Sequence, residues 1–147
     1  MWFWTVKPFY SAVLITVDGN ISCAIINKGR YTLESIDKAK RIIDIAGDKL
    51  ASDILLLDTR GVCSFADYFV IVSGDSSRQL DAISNEISQV IKQEAGTPPL
   101  HREGTAASGW MLLDYGDVIV HIFSPDERER YRLDEAWGAA KPLIRMA

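Results

Sequence analysis

Two cysteines and two histidines in 147 residues leave little material for thiol or soft-metal chemistry. Cys23 and Cys63 form no C-x-x-C pair and stand at no metal-ligand spacing from a histidine, which argues against a disulfide scaffold and against a zinc site. Reduced thiols in a cytoplasmic compartment are the corresponding expectation. An excess of positive charge is also missing: 16 basic residues face 20 acidic ones, a net charge of −4. Phosphate backbones are held by Lys and Arg that displace counterions, so little direct nucleic-acid binding is expected and a basic protein partner fits better. Nor is there a long hydrophobic run. The clean stretch from Phe9 to Val17, preceded by Lys7 and Pro8, is too short to span a bilayer. It follows no basic n-region and precedes no A-x-A-like cleavage site, so neither a membrane anchor nor a secretory signal is expected.

What remains is enough for one domain with a real core. At 48% hydrophobic and 24% charged, the composition is that of an ordinary soluble domain. Residues 1–30 hold three basic residues (Lys7, Lys28, Arg30) and one acidic residue (Asp18), leaving 13 against 19 in the remainder, a net −6. We therefore divide the chain into an N-terminal extension, 1–30, and a main domain, 31–147. In the extension, "VLITVDGNISCAII" sets β-branched runs on both sides of Asp18-Gly19, a pair suited to a two-residue turn, so 11–27 reads as an extra hairpin. A start codon placed too far upstream would also produce such an apolar leader.

From Thr32 onward Ile36, Ala39, Ile43 and Ala46 recur at helical steps, with Asp37, Lys38, Lys40, Arg41 and Asp44 largely outside that stripe. Gly47 is the expected left-handed stop. "DILLLD" (53–58) and "DYFVIVS" (67–73) are short apolar runs of the kind seen in strands covered on both faces. Ser76 with Gln79 makes a capping box for a helix whose stripe is Leu80, Ile83, Ile87 and Val90, stopped by Gly96 and Pro98-Pro99. Residues 100–103 suit a short edge strand. Ser124-Pro125-Asp126-Glu127 opens another helix, with serine as cap and proline in the first turn. A closing segment with Tyr131, Leu133 and Trp137 is expected to wrap back onto the body. The order α-β-β-α-β-β-β-α predicts an α/β or α+β fold, a mixed sheet with helices on at least one face.

The segment "GWMLLDYGDVIVHIF" (109–123) predicts a hairpin. With Tyr115-Gly116 as the loop, Asp114 would oppose Asp117 and Trp110 would oppose His121. Alternation then puts Met111, Leu113, Val118, Val120 and Ile122 on an apolar face. The other face carries Trp110, Leu112, Asp114, Asp117, Ile119, His121 and Phe123. Opposed aspartates call for water, a cation or a partner's basic group between them. An aromatic anchor inside a carboxylate rim suits docking, and the face is expected to be bare of helices. The alternative is that Trp110 lies under the chain termini and His121 is a hydrogen-bonded sheet residue.

Catalytic readings are weaker. The strand-Gly-Asp-Ser-Ser-helix passage could cradle an anion, but Ser76 and Gln79 already account for it as an N-cap. Asp114 and Asp117 could hold a divalent ion, yet no third carboxylate lies nearby in sequence. Cys63 and His121 could form a thiol dyad only if the fold joins two residues far apart in the chain.

Taken together, "ASDILLLDTRG", "FADYFVIVSGDSSRQLDAISNEI" and "HREGTAASGWMLLDYGDVIVHIFSPDERERYRLDEAW" resemble the ribosomal silencing factor family, also called the Iojap family. The likeness runs from about Leu33 to Trp137 and rests on Leu57-Asp58, Asp67-Tyr68-Phe69, Ser73-Gly74, Ser76 to Arg78, Glu103-Gly104, Trp110 and the run Asp114 to His121. The resemblance implies a nucleotidyltransferase-like fold without that fold's paired D-x-D carboxylates, and therefore no catalytic residue, metal or cofactor. It implies a protein that docks on large-subunit ribosomal protein fourteen and hinders subunit joining when nutrients are scarce. A homodimer of the free protein is a further expectation. The binding residues it points to are Glu103, Trp110, Leu112, Asp114, Tyr115, Gly116, Asp117, His121, Phe123 and Tyr131. A nucleotide-binding or nucleotidyltransferase-like enzyme is the competing function.

Overall fold

The structure, a computed structural model, describes residues 33–147 and, before them, the backbone of three strands: β1 (Ser11–Val17), β2 (Asn20–Asn27) and β3 (Arg30–Tyr31). β1 and β2 pair antiparallel with Val17 beside Asn20, so the expected strands at 11–27 form, and β3 adds to β2. The Asp18-Gly19 turn and residues 1–10 lie outside the described residues, so the alternative of an apolar leader from an upstream start codon is not addressed by them.

The main sheet has six strands in the order β6-β7-β8-β5-β4-β9. Its members are β4 (Ser52–Asp58), β5 (Tyr68–Ser73), β6 (His101–Thr105), β7 (Trp110–Asp114), β8 (Val118–Phe123) and β9 (Lys141–Met146). Only β5 and β8 run parallel among these neighbours; the rest are antiparallel, giving the expected mixed sheet of an α+β fold. The continuous apolar runs of β5 and β8 are buried along their whole length, as central strands require.

Helix α1 (Ser35–Asp48) and helix α2 (Ser77–Ala95) cover one face of this sheet. Their buried residues, Ile42, Ile43 and Ala46 in α1 and Leu80, Ile83, Ile87 and Ile91 in α2, meet Val70, Val72, Leu113, Val120 and Ile122 in the larger core. Ser76 accepts the Gln79 N–H at 3.2 Å, and Gly96 ends α2 at φ 67°, both as expected. Gly47 is not the stop of α1. The helix runs on to Asp48, and the left-handed residue is Leu50 at φ 59°. The reason is tertiary. The Gln79 amide donates to the carbonyls of Lys49 and Leu50 at 3.1 and 2.8 Å, holding a turn that local preference would assign to glycine.

The other face carries a smaller core of Leu55, Leu57, Phe69, Ile71, Ile119 and Phe123. The expectation that this face is bare is corrected here: the 59–66 loop and the C-terminal segment cover much of it, bringing Cys63, Ala66, Leu133, Trp137 and Ala140 against the strands. That segment contains α3 (Pro125–Tyr131) and α4 (Leu133–Ala136), then returns as β9 beside β4. Wrapping back was expected; a sixth strand was not. β9 is exposed apart from a half-buried Ile144 and includes Pro142, so it shows none of the alternation that marks a strand in sequence.

Candidate partner-docking face

The β7–β8 hairpin has a different register from the expected one. Trp110 pairs with Phe123, Leu112 with His121 and Asp114 with Ile119. The Tyr115 N–H donates to the Val118 carbonyl at 2.9 Å, and Gly116 takes φ 87°, so the two-residue turn is Gly116-Asp117. Asp114 fixes this choice: its Oδ1 accepts the Gly116 N–H at 2.7 Å, closing a side-chain turn. The slip moves each pairing by two residues in all, so the faces assigned to residues within the two strands survive, while Asp117, now a turn residue, leaves the Trp110 face for the helix side. The opposition of Asp114 to Asp117 does not.

The two aspartates in fact serve opposite sides. Asp117 reaches the helix side, where Lys38 of α1 donates to its two oxygens at 2.7 and 2.9 Å and the Ser35 hydroxyl donates at 2.7 Å. Burial pushes the Asp117 carboxyl up, but Lys38 and Ser35 outweigh it and hold the group below the usual range. Tyr115, one step along the alternation from Asp114, likewise turns into the helix-side core, where burial pushes its phenol up to about 12. Tyr115 is buried and Asp117 partly exposed on the helix side, away from Trp110, and no shared cation is needed between the carboxylates.

On the face itself, Trp110 is half-buried. Its indole N–H donates to His121 Nδ1 at 3.3 Å, its ring stacks on Phe123 with centroids 5.0 Å apart, and Tyr131 leans on it at 4.6 Å. His121 and Phe123 are buried, His121 also meeting Phe69 edge-on at 5.4 Å. Burial lowers the imidazole pKa to about 4, so at neutral pH His121 is uncharged and free to accept. These two residues form the floor of the face, and Trp110, Leu112, Asp114 and Tyr131 its accessible part. Glu103 is exposed on the edge strand β6 opposite Leu112, which places it on the same face.

Two glycines make the geometry around Trp110 specific. Gly109 has φ 76°, and a Cβ there would lie 2.6 Å from Ser124 Oγ and 2.8 Å from Glu127 Cγ. The first turn of α3 therefore sits directly on Gly109, and the Ser124 N–H bonds its carbonyl at 2.7 Å. Gly104, at φ 78°, lets β6 pass so close that a Cβ would fall 2.1 Å from the Trp110 carbonyl oxygen.

Sequence reasoning passed over Arg128. This α3 residue is buried, and its guanidinium reaches Asp53, Ser73 and Asp134. The available signal was that "PDERERY" contains no aliphatic residue to dock the helix, which leaves an arginine three positions before Tyr131 to do so. Of the weaker catalytic readings, Ser76 is an ordinary cap, and His121 Nδ1 is taken by Trp110. Cys63 is a free cysteine packed against the smaller core. Among the described residues, no helix is long and apolar enough to cross a membrane.

In class, then, the molecule is an α+β domain whose mixed sheet is thickly covered on one side and, on the other, leaves a tryptophan platform partly open. A family model described as "Ribosomal silencing factor during starvation" matches residues 32–147. The ribosomal silencing factor RsfS of Bacillus subtilis is 44% identical over 105 residues, spanning 69% of this chain and 88% of that protein. The chloroplastic protein Iojap of Zea mays is 33% identical over 110 residues, 75% of this chain and 47% of that one. The crystal structure of a Chromobacterium violaceum protein superposes with a TM-score of 0.69 at 32% identity, covering 76% of this chain and 92% of that one. The chain belongs to the ribosomal silencing factor family, the RsfS/Iojap group.

Proposed function

We propose that this protein silences ribosomes by binding the large subunit through large-subunit ribosomal protein fourteen, so that the small subunit cannot join, and that it thereby represses translation when nutrients are limiting. The action is steric and needs no covalent step; the main domain, 31–147, performs it in the cytoplasm. The names of the relatives support the class of function. The observation that carries the docking site is Trp110: half-exposed, oriented by His121, Phe123 and Tyr131, and placed on one face with Glu103 and Asp114. Pre-organised aromatic anchors with a polar rim are the usual centres of protein interfaces. The acidic rim and the acidic balance of the domain complement a basic ribosomal protein and favour rapid encounter. A standard interface would cover about 800 Å² of this face.

Cosedimentation with isolated subunits tests the reading. The protein is expected to pellet with large subunits and to reduce the yield of joined particles when small subunits are added. Trp110→Ala, its fold checked by circular dichroism, is expected to weaken that binding by about 2 kcal/mol or more. Sedimentation with small subunits alone, or full binding by the variant, would contradict the proposal. Should the free protein self-associate through the same face, the dimer must part before docking, and light scattering of the Trp110 variant would register the change.

A further inference from the structure

Helix α3 is seven residues long, far below the length at which a helix is stable alone, and Arg128 is its one buried residue. Where an amphipathic helix would bury an apolar stripe, this one buries a charge. The Arg128 guanidinium ties three separate elements together. Nη1 donates to Ser73 Oγ, at the end of β5, at 3.0 Å and also to the Asp53 carbonyl. Nε lies 3.3 Å from the Asp53 carboxylate, and Nη2 donates to Asp134 of α4 at 3.0 Å. Asp53 meets it from a kinked site, with φ 46° within the register shift of β4 between Ser52 and Leu55. A planar fork with donors on three sides suits this arrangement, and an ammonium could not span it.

Three positions further on, along the same side of the helix, is Tyr131, whose ring leans on Trp110. An open cleft of about 670 Å³ lies around the guanidinium, lined by polar residues such as Ser52, Glu129, Arg132 and Arg145. Apart from the Tyr131 ring on Trp110, no other residue of α3 is buried to hold the helix in place of Arg128.

We propose that Arg128 is the positioning residue of the docking face. Its bonds to β4, β5 and α4 set the height and angle of α3, and that setting holds Tyr131 on Trp110 and shapes the surface a partner meets. The consequence for binding rests on the reading of this face as the docking surface; the placement of Tyr131 does not.

The full chain carrying Arg128→Met, which keeps the stem and removes the fork, separates the two. The first readout is the Trp110 indole N–H resonance in ¹⁵N-labelled protein, assigned with Trp110→Phe. It is expected to move in R128M, and in the direction produced by Tyr131→Ala. The second readout is affinity for isolated large subunits, expected to fall roughly ten-fold. In the Y131A background, R128M is expected to cause little further loss, because both changes remove the same contact. If R128M fails to fold, Ser73→Ala and Asp134→Ala each remove one acceptor and are expected to move the resonance the same way by less. An indole resonance left at its wild-type position in a folded variant overturns the positioning role, as do fully additive losses of binding. A resonance that moves while R128M, Y131A and W110A all bind normally upholds the placement of Tyr131 and overturns the docking reading instead.

Discussion

The indole N–H of Trp110 rests on an imidazole that must stay neutral to accept it. His121 is 6% exposed, and burial draws its pKa from 6.5 to about 4. The unfolded chain therefore takes up a proton near pH 6.5 that the folded one refuses until about pH 4. The contribution of neutral His121 to stability is whole above 6.5 and is lost as the pH falls through that window. The full shift amounts to about 3 kcal/mol. Urea unfolding at pH 7.5 and 4.5 is expected to show a larger drop for the wild type than for His121→Gln, which accepts without titrating; parallel profiles would disprove the linkage. At this scale the sequence was partly legible. It placed Trp110 and His121 on one face, because alternation depends only on the pleat. It missed their pairing partners, because Asp114 selects the turn by a side-chain bond that strand patterns do not record.

Among the elements, those with local causes were readable and those with distant causes were not. The caps at Ser76 and Ser124 and the stop at Gly96 involve residues within a few positions of each other and form as expected, except that the Gln79 amide oxygen accepts the Asp75 N–H rather than that of Ser76. The end of α1 depends on Gln79, some thirty residues away. Strand β9 depends on the exposed edge that β4 offers it. Gly109 belongs to both kinds: a glycine before a strand is unremarkable in sequence, yet it is the point where α3 meets β7. Gly109→Ala would force a Cβ into a left-handed residue and against Ser124 and Glu127. We expect a loss of about 2 kcal/mol and a lower Tm, with the Trp110 environment disturbed as well. A variant with unchanged Tm would show that α3 can shift aside at little cost.

For the whole molecule, the mixed sheet and its helix-covered side followed from the alternation of apolar runs and helical stripes. The cover on the second side did not, since it is assembled from a loop and a short-helix segment with little apolar periodicity. The resulting asymmetry has a consequence for how the protein opens. Helices α1 and α2 bury long aliphatic stripes, whereas residues 125–140 fully bury only Arg128 and Ala140, with Leu133 and Trp137 partly covered. Native-state hydrogen exchange should find the amides of 125–140 released by a small, separate fluctuation, while those of β5 and β8 wait for global unfolding. Equal protection in both regions would refute this. Such a fluctuation would strip the roof from Phe69 and Phe123 while the rest of the domain stays intact. On warming, adhesive encounters between molecules would then start from the thin side.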